Sequence, residues 1–393
     1  MCILAPNHRR GVSVPFNLLY LVGHPIQYQA PLLRLIAGDT DIRLKVLFEH
    51  METAESYFDP GFGKAVKWDV PLTDGYDHEL VGGAANLETH LTGCDALWVH
   101  GWDSSVRRKA LSLAGKASVP VFMRGENTLA AMPDGPGLRG AVKRWYLDGI
   151  FKKCSGFLYI GSDNRRYYEA HGIANERLHS MPYAVDNEFF RKECERAAPG
   201  RDALRRELGI DADAPVILFA GKLQRRKHPA TLLKAYMNLD HAALGHPVLL
   251  FAGDGEERPR LEAQALHSHA NMKILGFKNQ TELPALYDLA DLFVLSAERE
   301  PWGLAVNEAM NAGCVPIVSP ECGCAADLID ETCGRTVSPG NAAALTSVID
   351  DVLCDREELN AMARSAREKI SNWGLLESLA GLKQAIAALP NRS

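Results

Sequence analysis

Short apolar runs alternate with longer amphipathic stretches along almost the whole chain, and this rhythm constrains the fold more than any other feature. Strand-like runs fall at Asn17–Gly23, Ile42–Phe48, Ala96–Val99, Pro120–Met123 and Gly156–Ile160, with helical patterns between them, the first over Ile26–Ala37. Such alternation specifies a mostly parallel sheet covered on both faces: its strands are buried on both sides, and each crossover helix buries one stripe. The rhythm restarts at Val216–Ala220 and continues through Val248–Ala252, Met272–Leu275, Leu292–Leu295 and Val315–Val318. Helices are expected over Pro229–Asn238, Glu256–Ser268, Glu282–Ala290 and Gly303–Ala312, and a last α/β unit over Arg335–Leu353.

Two stretches break the pattern. Tyr57–Gly82 contains Pro60, Gly61, Gly63, Pro71 and Gly75 and reads as an inserted loop or short hairpin close to function. Arg191–Ala214 is rich in charge and alanine and carries no strand pattern. A chain of 393 residues exceeds one core. The expected division is a loose tail over 1–16, a first doubly wound domain over 17–186 and a second over 187–371. In such sheets ligands sit beyond the carboxyl ends of the strands, so two facing domains put the site in the cleft between them.

Composition closes off other classes. With 47% hydrophobic and 23% charged residues the chain is neither disordered, collagenous nor a coiled coil, and a net charge of −6 argues against a nucleic-acid partner. No apolar run approaches the 18 residues of a membrane helix. The nine cysteines are an odd number and the start lacks a signal-peptide core, so reduced thiols and a cytoplasmic location are expected. Cys322, Cys324 and Cys333 lack a fourth ligand at recognisable spacing and read as small buried thiols. The basic amphipathic stretch Gly137–Lys153 could rest peripherally on an anionic inner membrane surface; a domain helix with its apolar stripe in the core is the expectation.

The most informative segment runs from Ser296 to Gly313, after an apolar strand. Pro301 suits a turn into a helix, Gly303 lets a ligand approach the backbone, and Gly313 suits the helix end. The N–H groups of Trp302, Gly303 and Leu304 would form an anion site there. Glu300 precedes the helix and Glu308 lies about two turns on, roughly 8–12 Å away at 1.5 Å per residue. Carboxylates flanking phosphate-binding amides can accept hydrogen bonds from hydroxyls at both ends of a sugar nucleotide.

This segment resembles the Glu-x7-Glu motif of retaining GT-B glycosyltransferases, especially glycosyltransferase family 4. Phe219-Ala220-Gly221-Lys222-Leu223 with Lys227, Phe251-Ala252-Gly253-Asp254-Gly255, Leu286-Tyr287 with Ala290-Asp291-Leu292-Phe293, and Pro182-Tyr183-Ala184-Val185-Asp186 with Phe190 resemble further elements of the family, in its order. The resemblance implies a GT-B architecture with two Rossmann-like domains. Its final helix, here the apolar stripe of Asn372–Leu389 within 372–393, crosses back to the first domain. It also implies a retaining, metal-independent glycosyltransferase of glycan or glycoconjugate assembly. The donor would be a nucleoside-diphosphate sugar, the acceptor a glycan, a lipid-linked or a small molecule, and no cofactor is called for. Glu300 would hold the transferred sugar, Glu308 the ribose, and Lys222 and Lys227 the diphosphate, with Gly221, Trp302, Gly303 and Leu304 completing the donor site. Lys222 stands where arginine is usual, keeping charge but losing the bidentate fork. Where the family places a histidine near the sugar, this chain reads Arg124-Gly125-Glu126. His24, His100, Arg124 and Glu126 are therefore the sugar- or acceptor-side candidates. Alternatives are a GT-B epimerase or phosphorylase, or a scaffold that binds sugar nucleotide without turnover.

Overall fold

The computed structural model describes residues 14–82, 86–131, 135, 137–268 and 271–390. Residues 1–13 of the expected tail, Cys2, and 391–393 of the expected crossing segment lie outside the described residues. The first sheet holds seven strands: β1 (Phe16–Val22), β2 (Ile42–Phe48), β5 (Asp77–Leu80), β6 (Ala96–His100), β7 (Val121–Arg124), β8 (Gly156–Tyr159) and β9 (Leu178–Ser180). β3 (Tyr57–Asp59) and β4 (Lys64–Val66) form a separate antiparallel hairpin. The spatial order is β5-β2-β1-β6-β7-β8-β9, with every neighbouring pair parallel. The second sheet contains β10 (Val216–Ala220), β11 (Val248–Ala252), β12 (Met272–Gly276), β13 (Leu292–Leu295), β14 (Val315–Val318) and β15 (Arg335–Thr336), in the order β12-β11-β10-β13-β14-β15. The winding reverses between β1 and β6 in one sheet and between β10 and β13 in the other, and a crevice opens at each reversal.

Every residue of β10 and β11 is buried, as strands covered on both faces must be. The first domain has a core on each face of its sheet. One of these includes Leu382 and Ala385 of the last helix, Leu375–Ala387, which packs against β8, β9 and the helix Ala30–Ala37. The chain thus leaves the second domain and covers the first. Contact there is backbone-close: a Cβ on Gly381 would lie 1.6 Å from the Ser180 carbonyl oxygen. Ser378 Oγ donates to the Pro182 carbonyl at 2.7 Å, and Lys383 pairs with Asp39 and Asp41.

Several elements differ in detail from the sequence reading. The first helix starts at Ala30, not Ile26, with Pro31 in its opening turn. Arg191–Ala214, read only as lacking strands, contains the end of the helix Asn187–Ala197, capped by Asp186, and the helix Arg201–Glu207. The helix Gly137–Phe151 corrects an expectation: Leu147, Ile150 and Phe151 enter the core, but Leu138, Val142 and Tyr146 face outward. Cys322, Cys324 and Cys333 are free and buried, their pKa values raised by desolvation.

The packing at Gly381 leads to a stability prediction. Gly381→Ala should push the last helix off β9 and destabilise by about 1–3 kcal/mol, the usual range for overpacking. At roughly 2–4 °C per kcal/mol for domains of this size, differential scanning fluorimetry would resolve the loss. Gly149→Ala, on a helix face with nothing within 4 Å of the added methyl, should leave the melting temperature unchanged or raise it.

Candidate functional site

The cleft between the sheets has a volume of about 770 Å³ and is lined from both domains. On the second domain the chain leaves β10 through Gly221 and Lys222 into a turn at Arg225–Lys227, then enters the helix Pro229–Met237. A Cβ on Gly253 would lie 1.8 Å from the Gly221 carbonyl oxygen, so the Gly-Asp-Gly turn after β11 leaves the room that the Gly221 loop occupies. Glu298 N–H donates to the Arg226 carbonyl at 2.7 Å, joining that turn to the loop after β13. This loop ends at Gly303, whose φ of +96° needs a residue without a Cβ, and the helix Leu304–Ala312 follows. Gly303, Leu304 and Ala305 at its start line the cleft.

Charged groups converge on that helix start. Glu300, only 9% exposed, accepts from Arg226 Nη1 at 2.9 Å and lies 3.4 Å from Lys227 Nζ. Lys222 Nζ sits 2.9 Å from Asp59 of the β3–β4 hairpin and 5.1 Å from the Phe62 ring centroid. Burial pushes the Asp59 carboxyl up, but Lys222 and the amides of Phe62 and Gly61 outweigh it and hold the group below its ordinary value. Glu308 is one of the residues walling a side pocket of about 130 Å³ that also includes Phe62, Trp68 and Phe277. Desolvation raises its pKa to about 7, against the pull of the Tyr287 hydroxyl, which donates to it at 2.7 Å. Among the described residues no group of three or more His, Cys, Asp or Glu is arranged to hold a metal ion.

The cleft therefore collects Gly221, Lys222, Lys227, Glu300, Trp302, Gly303, Leu304 and Glu308. Trp302 contributes differently from the rest. Its indole is buried, donates to Asn307 Oδ1 at 2.9 Å and stacks on Trp373 with ring centroids 5.4 Å apart, so the side chain serves the domain junction.

The four first-domain candidates separate into two layers. His24 and Glu126 line the cleft. Burial, then His50 and Arg107, lower the His24 pKa, favouring a neutral ring. Behind Glu126, His100 Nδ1 lies 3.1 Å from the Tyr20 hydroxyl, and its Nε2 lies 3.7 Å from Glu126 Oε1. Arg124 is buried beneath the interdomain linker, over the Tyr183 ring at 5.4 Å, with Nη2 donating to the Pro182 carbonyl at 3.4 Å. Burial opposes ionisation of Glu126, yet His100, the Tyr183 hydroxyl and Arg124 hold its pKa below the ordinary value.

Sequence reasoning missed Arg226, Asp59, Phe62, Trp68 and Phe277. The breaks at Pro60, Gly61 and Gly63 marked the hairpin as functional but gave no sign of where it would reach. It crosses to the second domain: Phe62 packs edge-on against Phe277 at 4.9 Å, and Asn279 Nδ2 donates to the Lys67 carbonyl at 2.7 Å.

Comparison with known proteins fits this architecture. The family model for glycosyl transferases group 1 matches residues 200–369. The D-inositol 3-phosphate glycosyltransferase of Xylanimonas cellulosilytica is 27% identical over 228 residues, 56% of this chain and 54% of that protein. This chain spans about half the length of such curated relatives. Among solved structures, a glycosyltransferase from Rickettsia africae superposes with a TM-score of 0.74 at 13% identity, covering 96% of this chain and 100% of its own. Anabaena HepE in complex with UDP gives 0.73 at 16% identity, with the same coverage. The likeness to the solved structures is one of fold, GT-B in type. Residues 200–369 belong to the glycosyl transferases group 1 family, and the chain that carries them has the two-domain GT-B fold.

Proposed function

We propose that this protein transfers a sugar from a nucleoside-diphosphate sugar to an acceptor hydroxyl, with retention at the anomeric carbon and without a metal ion. The observation that carries this reading is the meeting of Lys222, Arg226, Lys227, Glu300 and the start of the helix Leu304–Ala312 in one cleft, at the reversal between β10 and β13. That HepE of Anabaena is solved with UDP and with UDP-glucose supports a nucleotide-sugar donor. In this reading the base enters the side pocket between Phe62, Trp68 and Phe277, and Glu308 accepts from the ribose. The diphosphate replaces Glu300 as partner of Arg226 and Lys227, which frees Glu300 for sugar hydroxyls. As the anomeric C–O bond breaks, negative charge grows on the departing phosphate, and fixed cations and helix amides stabilise it without reorganising. Retention rests on the family resemblance. It is consistent with Glu126, a first-domain carboxylate lining the cleft, being held below the ordinary carboxylate value and so a weak base for an inverting reaction.

A second reading, binding without turnover, draws on the pairing of Lys222 with Asp59 and of Arg226 and Lys227 with Glu300. Turnover assays with pooled nucleotide sugars, donor hydrolysis included, separate the two.

Calorimetric titration and initial rates should divide the site by role. Glu308→Ala should weaken the free nucleoside diphosphate roughly ten- to a hundred-fold, the cost of a charged hydrogen bond. Glu300→Ala should not weaken that affinity, since the sugar is absent from the product and a competitor for Arg226 and Lys227 is removed, and should cut turnover. Lys227→Ala should lower both. Equal nucleotide loss in Glu300→Ala and Glu308→Ala would reverse the assigned polarity.

Glu308 also sets a pH dependence. Its folded-state value of about 7 lies above the ordinary 4.5, so the neutral form prevails below pH 7, and its favourable contribution to folding is lost as pH rises through 7. Nucleoside-diphosphate affinity has the opposite slope, since the ribose needs the ionised acceptor. It should strengthen roughly three- to tenfold between pH 6 and 8, and Glu308→Gln should lose that part of the profile.

Activity should survive EDTA undiminished. Abolition by chelation and recovery with Mn²⁺ or Mg²⁺ would overturn the metal-free mechanism.

A further inference from the structure

Of the eleven large apolar or aromatic side chains that stand exposed among the described residues, Leu129, Leu138, Val142, Trp145 and Tyr146 belong to one short region. The last four occupy positions i, i+4, i+7 and i+8 of the helix Gly137–Phe151 and therefore share a face, opposite the buried Leu147, Ile150 and Phe151. Leu138 is 82% exposed and Trp145 76%. The helix is thus amphipathic twice over, with one apolar face in the core and a second, aromatic one in solvent.

The charge around that second face is of one sign. Arg139, Lys143, Arg144, Lys152 and Lys153 lie on or just beyond the helix, and its single acid, Asp148, is engaged by His171 Nδ1 at 2.9 Å. An outward tryptophan and tyrosine beside aliphatic side chains suit the headgroup level of a bilayer, and the flanking cations suit its anionic lipids. A two-fold contact between copies of this chain would bring like charges together, which disfavours that occupant. No described helix is long and apolar enough to cross a membrane. We infer that the outer face of Gly137–Phe151 is a docking surface for an anionic lipid bilayer, on which the protein lies peripherally. The helix follows β7, the strand that leads to Glu126, so docking would bring the first-domain side of the cleft towards the membrane. The inference is independent of the assignment of the donor site.

Co-sedimentation of the full chain with vesicles tests it. Binding to phosphatidylcholine vesicles containing one third phosphatidylglycerol should be at least about tenfold tighter than to phosphatidylcholine alone. Leu138→Glu/Trp145→Glu should lose at least about tenfold of that binding without a change in melting temperature, because both side chains are exposed. Arg139→Glu/Lys152→Glu should abolish the preference for anionic vesicles. Absence of binding, equal binding to both compositions, or unchanged binding by the apolar variant would overturn the inference. So would a dimer in light scattering that Trp145→Glu dissolves while vesicles pellet no protein, since the face would then be a contact between copies.

Discussion

Two side chains donate to one carbonyl oxygen, that of Tyr183 in the interdomain linker, and the relation between the domains depends on it. Asn307 Nδ2 reaches it at 3.2 Å from the helix that carries Glu308, and Trp373 Nε1 at 3.0 Å from the segment that returns to the first domain. The loop ahead of that helix meets the same terminal segment where Trp302 stacks on Trp373. Asn187, at the start of the next helix, adds bonds to the carbonyls of Ile370 and Trp373. Buried donors left unpaired here would each cost about 1–3 kcal/mol, so linker, donor-side helix and terminal segment are fixed as a unit. The cleft residues inherit their positions from that unit: Glu300 and Gly303 lie just ahead of the helix that Asn307 anchors.

Each of the cleft cations Lys222, Arg226 and Lys227 has a carboxylate partner before any ligand arrives. Lys222 is matched by Asp59, and Arg226 and Lys227 by Glu300. These partners spare the fold the repulsion of clustered cations, and each carboxylate can be displaced by an anion that makes the same contacts. Glu308 is the exception. Its carboxyl is desolvated with only a phenol as partner, which raises its pKa to about 7 and leaves it divided between neutral and ionised forms near that pH.

How far the sequence could be read follows from where each residue sits. Central strands such as β10, β11, β13 and β14 emerge within a residue of their bounds, because burial on both faces demands unbroken apolar runs. β5, with Asp77, His78 and Glu79, and β9, with His179 and Ser180, go unseen because edge strands tolerate polar side chains. Lys222, Lys227, Glu300 and Glu308 are legible because each lies within about a dozen residues of a strand end and belongs to a local motif. Asp59, Phe62 and Trp68 are not, since they reach the second domain from more than 150 residues away in sequence, a placement that only the hairpin's tertiary packing defines. Arg226 belongs to none of the motifs that carry the resemblance, and only its bond to Glu300 marks it out. The outward Trp145 was masked by a helix whose other face meets every requirement of a core.

The hairpin has a thermodynamic consequence. Phe62 and Trp68 belong to one domain and Phe277 to the other, yet together they wall a single pocket, and Asp69 accepts from Thr281 across the same seam. Occupancy of that pocket is therefore coupled to the seating of the hairpin on the second domain. Reciprocity then holds: whatever occupies the first-domain side of the cleft and tightens this seam raises affinity at Glu308 by the same factor by which an occupant of the pocket raises its own.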